Sequence, residues 1–234
     1  MTEYADKFIS IPETKNALKG EPMEALPLLT LKRLPMYLEA LYRFKKAGLK
    51  MVSATKIAVF TDVHMTQVRK DLAYTGVVGT PKIGHRIDEL IQAIEECLNW
   101  NDISSCFLVG VGHLGKALMG YTELSKKGLR IIAAFDNNPE LASTYYQGIM
   151  IHPMSKFSNL LSRLHVHIGI LTVPAECAQE VADEMVKGGI IAIWNFTPAR
   201  LVLPEDIIIE NIDMSSSLAV LSRRVAERLH HLNS

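Results

Sequence analysis

The 234-residue chain reads as an α/β protein of two modules: an N-terminal winged helix-turn-helix, then a C-terminal doubly wound parallel sheet that ends in one more helix. Three observations point that way. A glycine-spaced turn, Leu108-Val109-Gly110-Val111-Gly112-His113-Leu114-Gly115, joins an apolar run to an amphipathic one. Beyond it, apolar strands and amphipathic helices alternate, as they do when helices cover both faces of a parallel sheet. Ahead of it the chain is basic: residues 1–86 carry 14 Lys+Arg against 8 Asp+Glu, and residues 87–234 carry 11 against 17. Such asymmetry suggests a basic module on an acidic one, although a solvated basic face gives the same count.

Residues 1–27 are polar without a sustained period and read as a flexible arm. The winged helix-turn-helix is expected over 28–86. Leu34, Tyr37, Leu38, Leu41 and Phe44 fall at helical spacing, with Pro35 placed in a first turn and Lys45, Lys46 and Gly48 at the C-terminal end. Ser53 then caps a short helix through Phe60, residues 61–64 turn, and Met65 to Leu72 form a third helix. Two short helices on a tight turn make a helix-turn-helix. Met65, Val68 and Leu72 face inward on this spacing, leaving Thr66, Gln67, Arg69 and Lys70 outward, groups suited to base edges and phosphates of a major groove. Gly76, Gly79 and Gly84 punctuate a small β-hairpin, the wing, with Lys82, His85 and Arg86 available for phosphates. An ordinary three-helix packing unit with a polar face is the alternative.

An amphipathic helix on Ile87, Leu90, Ile91, Ile94, Cys97 and Leu98 reads as a linker over 87–101, and the sheet domain as 102–212. Its strands are expected at 106–111, 129–135, 149–151, 166–172, 190–194 and 207–211, with helices at 114–126, 154–164 and 175–187. In the glycine turn each glycine has its own reason: Gly110 for the tight turn, Gly112 for close approach to a pyrophosphate, Gly115 for helix–strand packing. The amides that open the helix then hold phosphate. Asp136 ends the second strand about twenty residues on, where a carboxylate binds the adenine ribose hydroxyls of NAD and repels the extra phosphate of NADP. Glycine-rich turns also occur for purely structural reasons. Residues 213–234 form a last helix, capped by Asp213 or the serines after it, whose Leu218, Leu221, Val225, Leu229 and Leu232 make an apolar stripe that needs covering by its own domain or a partner subunit. A dimer suits a helix-turn-helix, which usually reads two half-sites.

At 48% hydrophobic the chain is globular rather than disordered. No secretory h-region opens it and no apolar run approaches a membrane span, so a cytoplasmic protein is expected. Cys97, Cys106 and Cys177 are odd in number and widely spaced, which favours buried thiols over disulfides or a metal site. No zinc-protease motif, cysteine pair or nucleophile elbow occurs, and Cys177, near a helix start, has no partner group beside it in sequence. The residues after Asn101 are nearly all used by the nucleotide fold, which leaves no room for a separate substrate domain. The chain therefore reads as binding a cofactor without reacting it.

From about Thr30 to the C-terminal helix the sequence resembles the Rex family of redox-sensing transcriptional repressors. The resemblance is carried by Arg33-Leu34-Pro35-Met36-Tyr37, Gln67-Val68-Arg69-Lys70-Asp71-Leu72, the glycine turn, Ala134-Phe135-Asp136, Leu171-Thr172-Val173-Pro174-Ala175, Asn195-Phe196-Thr197-Pro198-Ala199 and Ile212-Asp213. It implies a Rossmann domain, a homodimer whose last helix is swapped onto its partner, and palindromic operator DNA held when NAD⁺ is abundant and released when NADH binds. It also implies that Gly110, Val111, Gly112, His113, Leu114, Gly115 and Asp136 hold the adenosine and pyrophosphate. Thr172, Val173, Pro174, Asn195, Phe196 and Pro198 would line the nicotinamide side, and Tyr121 and Asp213 would pair across the dimer and report redox state. Ser53, Thr66, Gln67, Arg69, Lys70 and Lys82 are then the expected DNA-binding residues. Two departures stand out. Met214 replaces the usual aromatic after the aspartate, and the wing, Gly79-Thr80-Pro81-Lys82-Ile83-Gly84-His85, lacks the family's arginine, middle glycine and tyrosine. A small NAD-linked oxidoreductase and a CoA-binding module remain as alternatives.

Overall fold

Helix α1 (Leu28–Lys46) starts six residues earlier than its apolar stripe, so Pro35 sits in the helix interior, not in the first turn as expected. The proline removes one helical hydrogen bond. The stripe itself holds: Leu34, Tyr37 and Leu41 are fully buried. The computed structural model describes residues 26–232, so the expected arm lies almost entirely outside the described residues.

The chain divides into two compact units between Ile103 and Ser104. In the first, α1 is followed by β1 (Met51–Val52), α2 (Ala54–Thr61), α3 (Met65–Ala73), β2 (His85–Arg86) and α4 (Ile87–Cys97). Ser53 caps α2, its hydroxyl accepting the Lys56 amide at 3.2 Å. Asp62 in the left-handed region ends it, and the chain turns directly into α3. Ile57, Val68 and Leu72 meet Leu34, Tyr37 and Leu41 in one core. Helix α4 belongs to that core, with Ile87, Leu90 and Ile94 buried in it, so it closes the winged-helix unit and is not a linker. The wing is smaller than the expected hairpin: one bridge joins Thr80 to Gly84, and β2 pairs with β1 instead, Val52 opposite His85.

In the second unit the strands are β3 (Ser104–Val109), β4 (Leu129–Asp136), β5 (Tyr145–Tyr146), β6 (Ile149–Pro153), β7 (Ile168–Leu171), β8 (Ala192–Asn195) and β9 (Ile208–Asn211). They lie in the order β5-β6-β4-β3-β7-β8-β9, all parallel except β5. Leaving β5 aside, the order is 3-2-1-4-5-6 in chain sequence, that of a dinucleotide fold, with its switch point between β3 and β7. β5 was not expected; Gln147 and Gly148, both at positive φ, turn the chain back as a tight hairpin.

Alternate residues of β3 and β4 face opposite sides of the sheet. Phe107 and Phe135 join Phe157 of α7 (Phe157–Leu164) at ring separations of 4.9–5.8 Å, and α8 (Ala175–Gly188) covers the same side through Ala178, Ala182 and Met185. Leu108, Ala134 and Ile170 face the other way, under α5 (His113–Met119) and α6 (Glu123–Lys126). The single helix expected over 114–126 is thus broken after Gly120, which caps α5. The last helix, α9 (Met214–Leu232), is exposed at every described side chain.

Candidate nucleotide cleft and DNA-reading helix

The glycine turn follows β3 at the switch point, and its three glycines serve three different ends. Gly110 has φ +98°, and a Cβ there would stand 2.8 Å from the Thr172 carbonyl group. At Gly115 a Cβ would come within 2.0 Å of the Gly110 oxygen, so α5 can lie against the turn only without a side chain. Gly112 has ordinary backbone angles and nothing within 4 Å of a built Cβ. Its lack of a side chain plays no part in internal packing and leaves this side of the turn open.

Thr172 latches this turn to β7: its hydroxyl lies 2.7 Å from the Gly110 oxygen, and its amide donates to Val109 at 2.9 Å. Asp136 latches it to β4, accepting the Val111 amide at 2.6 Å on one oxygen and the Asn138 amide at 2.8 Å on the other. Between these latches opens a cleft of about 420 Å³, lined by Gly110, Gly112, Asp136, Thr172, Val173 and Pro174 among others. His113 and Leu114 are exposed at the start of α5, whose opening amides lack a partner a turn earlier. Asn137, Met154, Cys177 and Val181 were not expected here from sequence, yet all four line the cleft. Asn137 follows Asp136 directly and was inferable; Met154 arrives through the β6–α7 corner and carried no signal.

Asn195, Phe196 and Pro198 are placed differently. Asn195 is fully buried, donating to Ala199 and Asn211 and accepting twice from Thr197, so all four of its hydrogen-bonding positions are filled within the protein. It shapes the loop after β8 and offers no free group. Phe196 packs on Trp194 at 4.8 Å, and Pro198 is exposed. Tyr121 is exposed in the α5–α6 break. Asp213 caps α9, accepting the Ser215 and Ser216 amides at 2.8 and 3.2 Å and the Ser216 hydroxyl, which hold its carboxyl below the usual range. No hydrogen bond joins Tyr121 to Asp213 among the described residues.

On the first unit, Ser53, Thr66, Arg69, Lys70 and Lys82 are all exposed. Ser53, Arg69 and Lys82 border one groove of about 560 Å³ between α2, α3 and the wing, together with Thr55 and Thr80. Two expected contacts are redirected. His85 is half-buried beneath Gly79, and burial lowers its pKa, so it supports the wing from inside. Arg86 pairs with Glu89 at 3.0 Å.

Gln67 is half-buried too, and it donates to Asp71 at 2.9 Å. Asp71, given no role from sequence, is a fully buried hub. It accepts Thr30 at 3.0 Å, Tyr37 at 2.7 Å and Arg33 twice, at 2.6 and 2.8 Å. Burial alone would raise its pKa; the hydrogen bonds from Arg33, Tyr37, Gln67 and Thr30 outweigh it and hold the carboxyl at about 2. The hub ties α3 to α1. Its partners on α1 stand 34–41 residues earlier in the chain, so the sequence around Gln67 carried no signal for it.

Among the described residues no cluster of His, Cys, Asp and Glu could hold a metal, and no helix is long and apolar enough to cross a membrane. The three cysteines are free, and burial pushes the Cys106 thiol up to about 12.

Residues 25–73 match the family described as putative DNA-binding protein N-terminus, and residues 101–199 the family described as CoA binding domain. The chain is 41% identical over 210 residues to the redox-sensing transcriptional repressor Rex of Bacteroides fragilis, covering 90% of this chain and 96% of that one. It is 39% identical to the repressor of the same name from Treponema denticola, over 82% of this chain and 91% of the relative. Among solved structures, a protein named RSP in complex with NAD⁺ and operator DNA superposes with a TM-score of 0.82 at 30% identity, over 90% of this chain and 97% of its own. RSP in complex with NADH gives 0.81 at the same identity, over 90% and 99%. With such similarity along nearly its whole length, the chain belongs to the Rex family of redox-sensing transcriptional repressors.

Proposed function

We propose that this protein represses transcription by holding operator DNA on α3 and the wing, and that the nucleotide in the switch-point cleft decides whether it holds. NAD⁺ permits DNA binding and NADH ends it. The observation that carries this reading is the union, in one chain, of an exposed cationic helix face at Arg69 and Lys70 with a cleft held open by Gly112 and closed behind by Asp136 and Thr172. RSP has been captured both with NADH and with NAD⁺ and operator DNA.

The cleft suits an adenine dinucleotide. Amides at the start of α5 face its pyrophosphate position, and Asp136, with both oxygens already fixed by backbone amides, has lone pairs left for ribose hydroxyls. The same carboxylate, facing both ribose hydroxyls, repels the 2′-phosphate of NADP and equally the 3′-phosphate of CoA, which argues against either as the ligand. Thr172, Val173 and Pro174 would face the nicotinamide end. The nicotinamide supplies the redox signal when bound; the protein supplies a difference in affinity between two arrangements of the dimer, without which no population shift occurs. Tyr121 and Asp213 are candidates for that difference, paired between subunits. The uncovered apolar face of α9 supports a homodimer on a palindromic site, and a regulator of DNA works in the cytoplasm. The oxidoreductase alternative falls with the family's repressors.

A gel shift on AT-rich palindromic duplex at stated salt, titrated separately with NAD⁺, NADH and CoA, tests the proposal. Release by NADH at concentrations where NAD⁺ and CoA release nothing supports it. Release by CoA alone, or by no nucleotide, overturns it.

A further inference from the structure

We propose that Asp71 is a positioning residue for sequence reading: by accepting one amide N–H of Gln67, it fixes that side chain with its second N–H and its carbonyl oxygen outward, matched to the N7 and N6 edge of one adenine per half-site. The proposal rests on the DNA-binding reading above and goes beyond it in naming the base and the residue that sets the geometry.

Asp71 is fully buried and gripped by a cation, Arg33. An ionised carboxylate only accepts, so the group that Gln67 turns toward Asp71 has to be its nitrogen, 2.9 Å away. That fixes the amide flip. Asp71 itself cannot swing, because Arg33 holds both of its oxygens and Thr30 and Tyr37 take one each. Thr30, Arg33 and Tyr37 all belong to α1, so α1 holds in place the carboxylate of α3 that orients Gln67. One N–H and one oxygen remain on the amide of this half-exposed residue, and adjacent donor and acceptor of that kind pair bidentately with adenine in the major groove. Lys70, three residues on and fully outward, offers charge alone. The two residues therefore divide the work: Gln67 discriminates, and Lys70 attracts.

The test uses full-length protein with NAD⁺ and a library of randomised palindromic duplexes. The wild type is expected to enrich an adenine at one position of each half-site. Gln67→Ala flattens that single preference by on the order of tenfold. In the selected duplex, 7-deazaadenine at the same position costs the wild type a similar factor and costs Gln67→Ala nothing. Lys70→Ala weakens all sequences alike. A uniform loss of affinity in Gln67→Ala with unchanged base preferences would mean a phosphate contact and would overturn the proposal. Asp71→Ala, where it folds, is expected to lose the adenine preference with Gln67 still present; a folded Asp71→Ala that keeps it refutes the positioning role. Because that variant removes a buried hub, the wild type supplies a second reading: in side-chain ¹⁵N relaxation the Gln67 amide should be markedly more ordered than that of the exposed Gln147. Equal mobility of the two refutes the positioning role. A wild type that binds no duplex refutes the repressor reading instead.

Discussion

The Asp136 carboxylate accepts the Val111 backbone amide at 2.6 Å, so the residue that ends β4 also sets the shape of the glycine turn after β3. A nucleotide would meet a turn already in position. Asp136→Ala should therefore weaken NADH binding about 10–100-fold, the range expected for losing hydrogen bonds to a charged group, and leave DNA binding intact. Isothermal titration with NADH and a gel shift without nucleotide check the two halves. In the wild type NADPH should bind more weakly than NADH, because the same carboxylate faces the 2′ position. Equal affinity for the two would remove Asp136 from the ribose site.

The glycines separate folding from binding. Gly115→Ala places a methyl 2.0 Å from the Gly110 oxygen, and overpacking of that kind costs about 1–3 kcal/mol; a lower melting temperature is expected. Gly112→Ala meets nothing within 4 Å, so its melting temperature without ligand should match the wild type while its NADH affinity falls. Calorimetry in the presence and absence of NADH distinguishes the two. Equal destabilisation by both substitutions would contradict the open approach at Gly112.

Asp71 gives the winged helix an acid limit. Its carboxyl is lowered from 3.8 to about 2, and a depressed carboxylate contributes stability that is complete above the higher value and lost as pH falls through the lower one. The first unit should lose stability between about pH 4 and pH 2. Asp71→Ala should cost about 3–5 kcal/mol, since it leaves the Arg33 charge without its partner, and should flatten the response in that window. Denaturant titrations followed at pH 2, 3, 4 and 7 measure both effects.

Periodicity and turn chemistry made most of the fold legible. The stripe of α1, the Ser53 cap, the three glycines and the alternation of strands each have a local cause. What stayed hidden depends on contacts distant in sequence. Nothing near Gln67 signals that α1 supplies three partners to Asp71, 34–41 residues away. Asn195 reads as a loop polar group until Asn211 arrives 16 residues later to fill its amide. His85 reads as a surface cation because its cover, Gly79, has no side chain to announce packing. The apolar face of α4 was visible, but whether it packed on the first unit or bridged two units is decided by the core formed with α1.

Charge on the reading face can be apportioned by salt. Removing one cation that pairs with a phosphate lowers the slope of log affinity against log salt by roughly 0.9. Arg69→Ala, Lys70→Ala and Lys82→Ala should each show that change, since all three are exposed and enter no ion pair among the described residues. Arg86→Ala should show less, because Arg86 is already paired with Glu89 at 3.0 Å. Fluorescence anisotropy across a series of KCl concentrations gives the slopes. An unchanged slope for Lys70→Ala would move the DNA-reading surface off α3.

Helix α9 is the proposed subunit contact. Leu218, Leu221, Val225, Leu229 and Leu232 are between 49% and 66% exposed within one chain, although their spacing makes one continuous apolar stripe. Asp213 fixes the start of the helix by taking two of its first amides, so the stripe is presented on a formed helix instead of a frayed end. Burying such a stripe on a second copy removes it from water, and placing a charge in it opposes that burial. Leu221→Asp should therefore convert a dimer to a monomer in light scattering at micromolar concentration, while Arg224→Glu on the polar face should not. Because two linked half-site contacts bind far more tightly than one, the monomer should lose roughly 100-fold or more in affinity for a palindromic duplex and much less for a single half-site. A Leu221→Asp protein that remains dimeric would place the subunit contact elsewhere in the chain, and the exposed stripe would then need another partner.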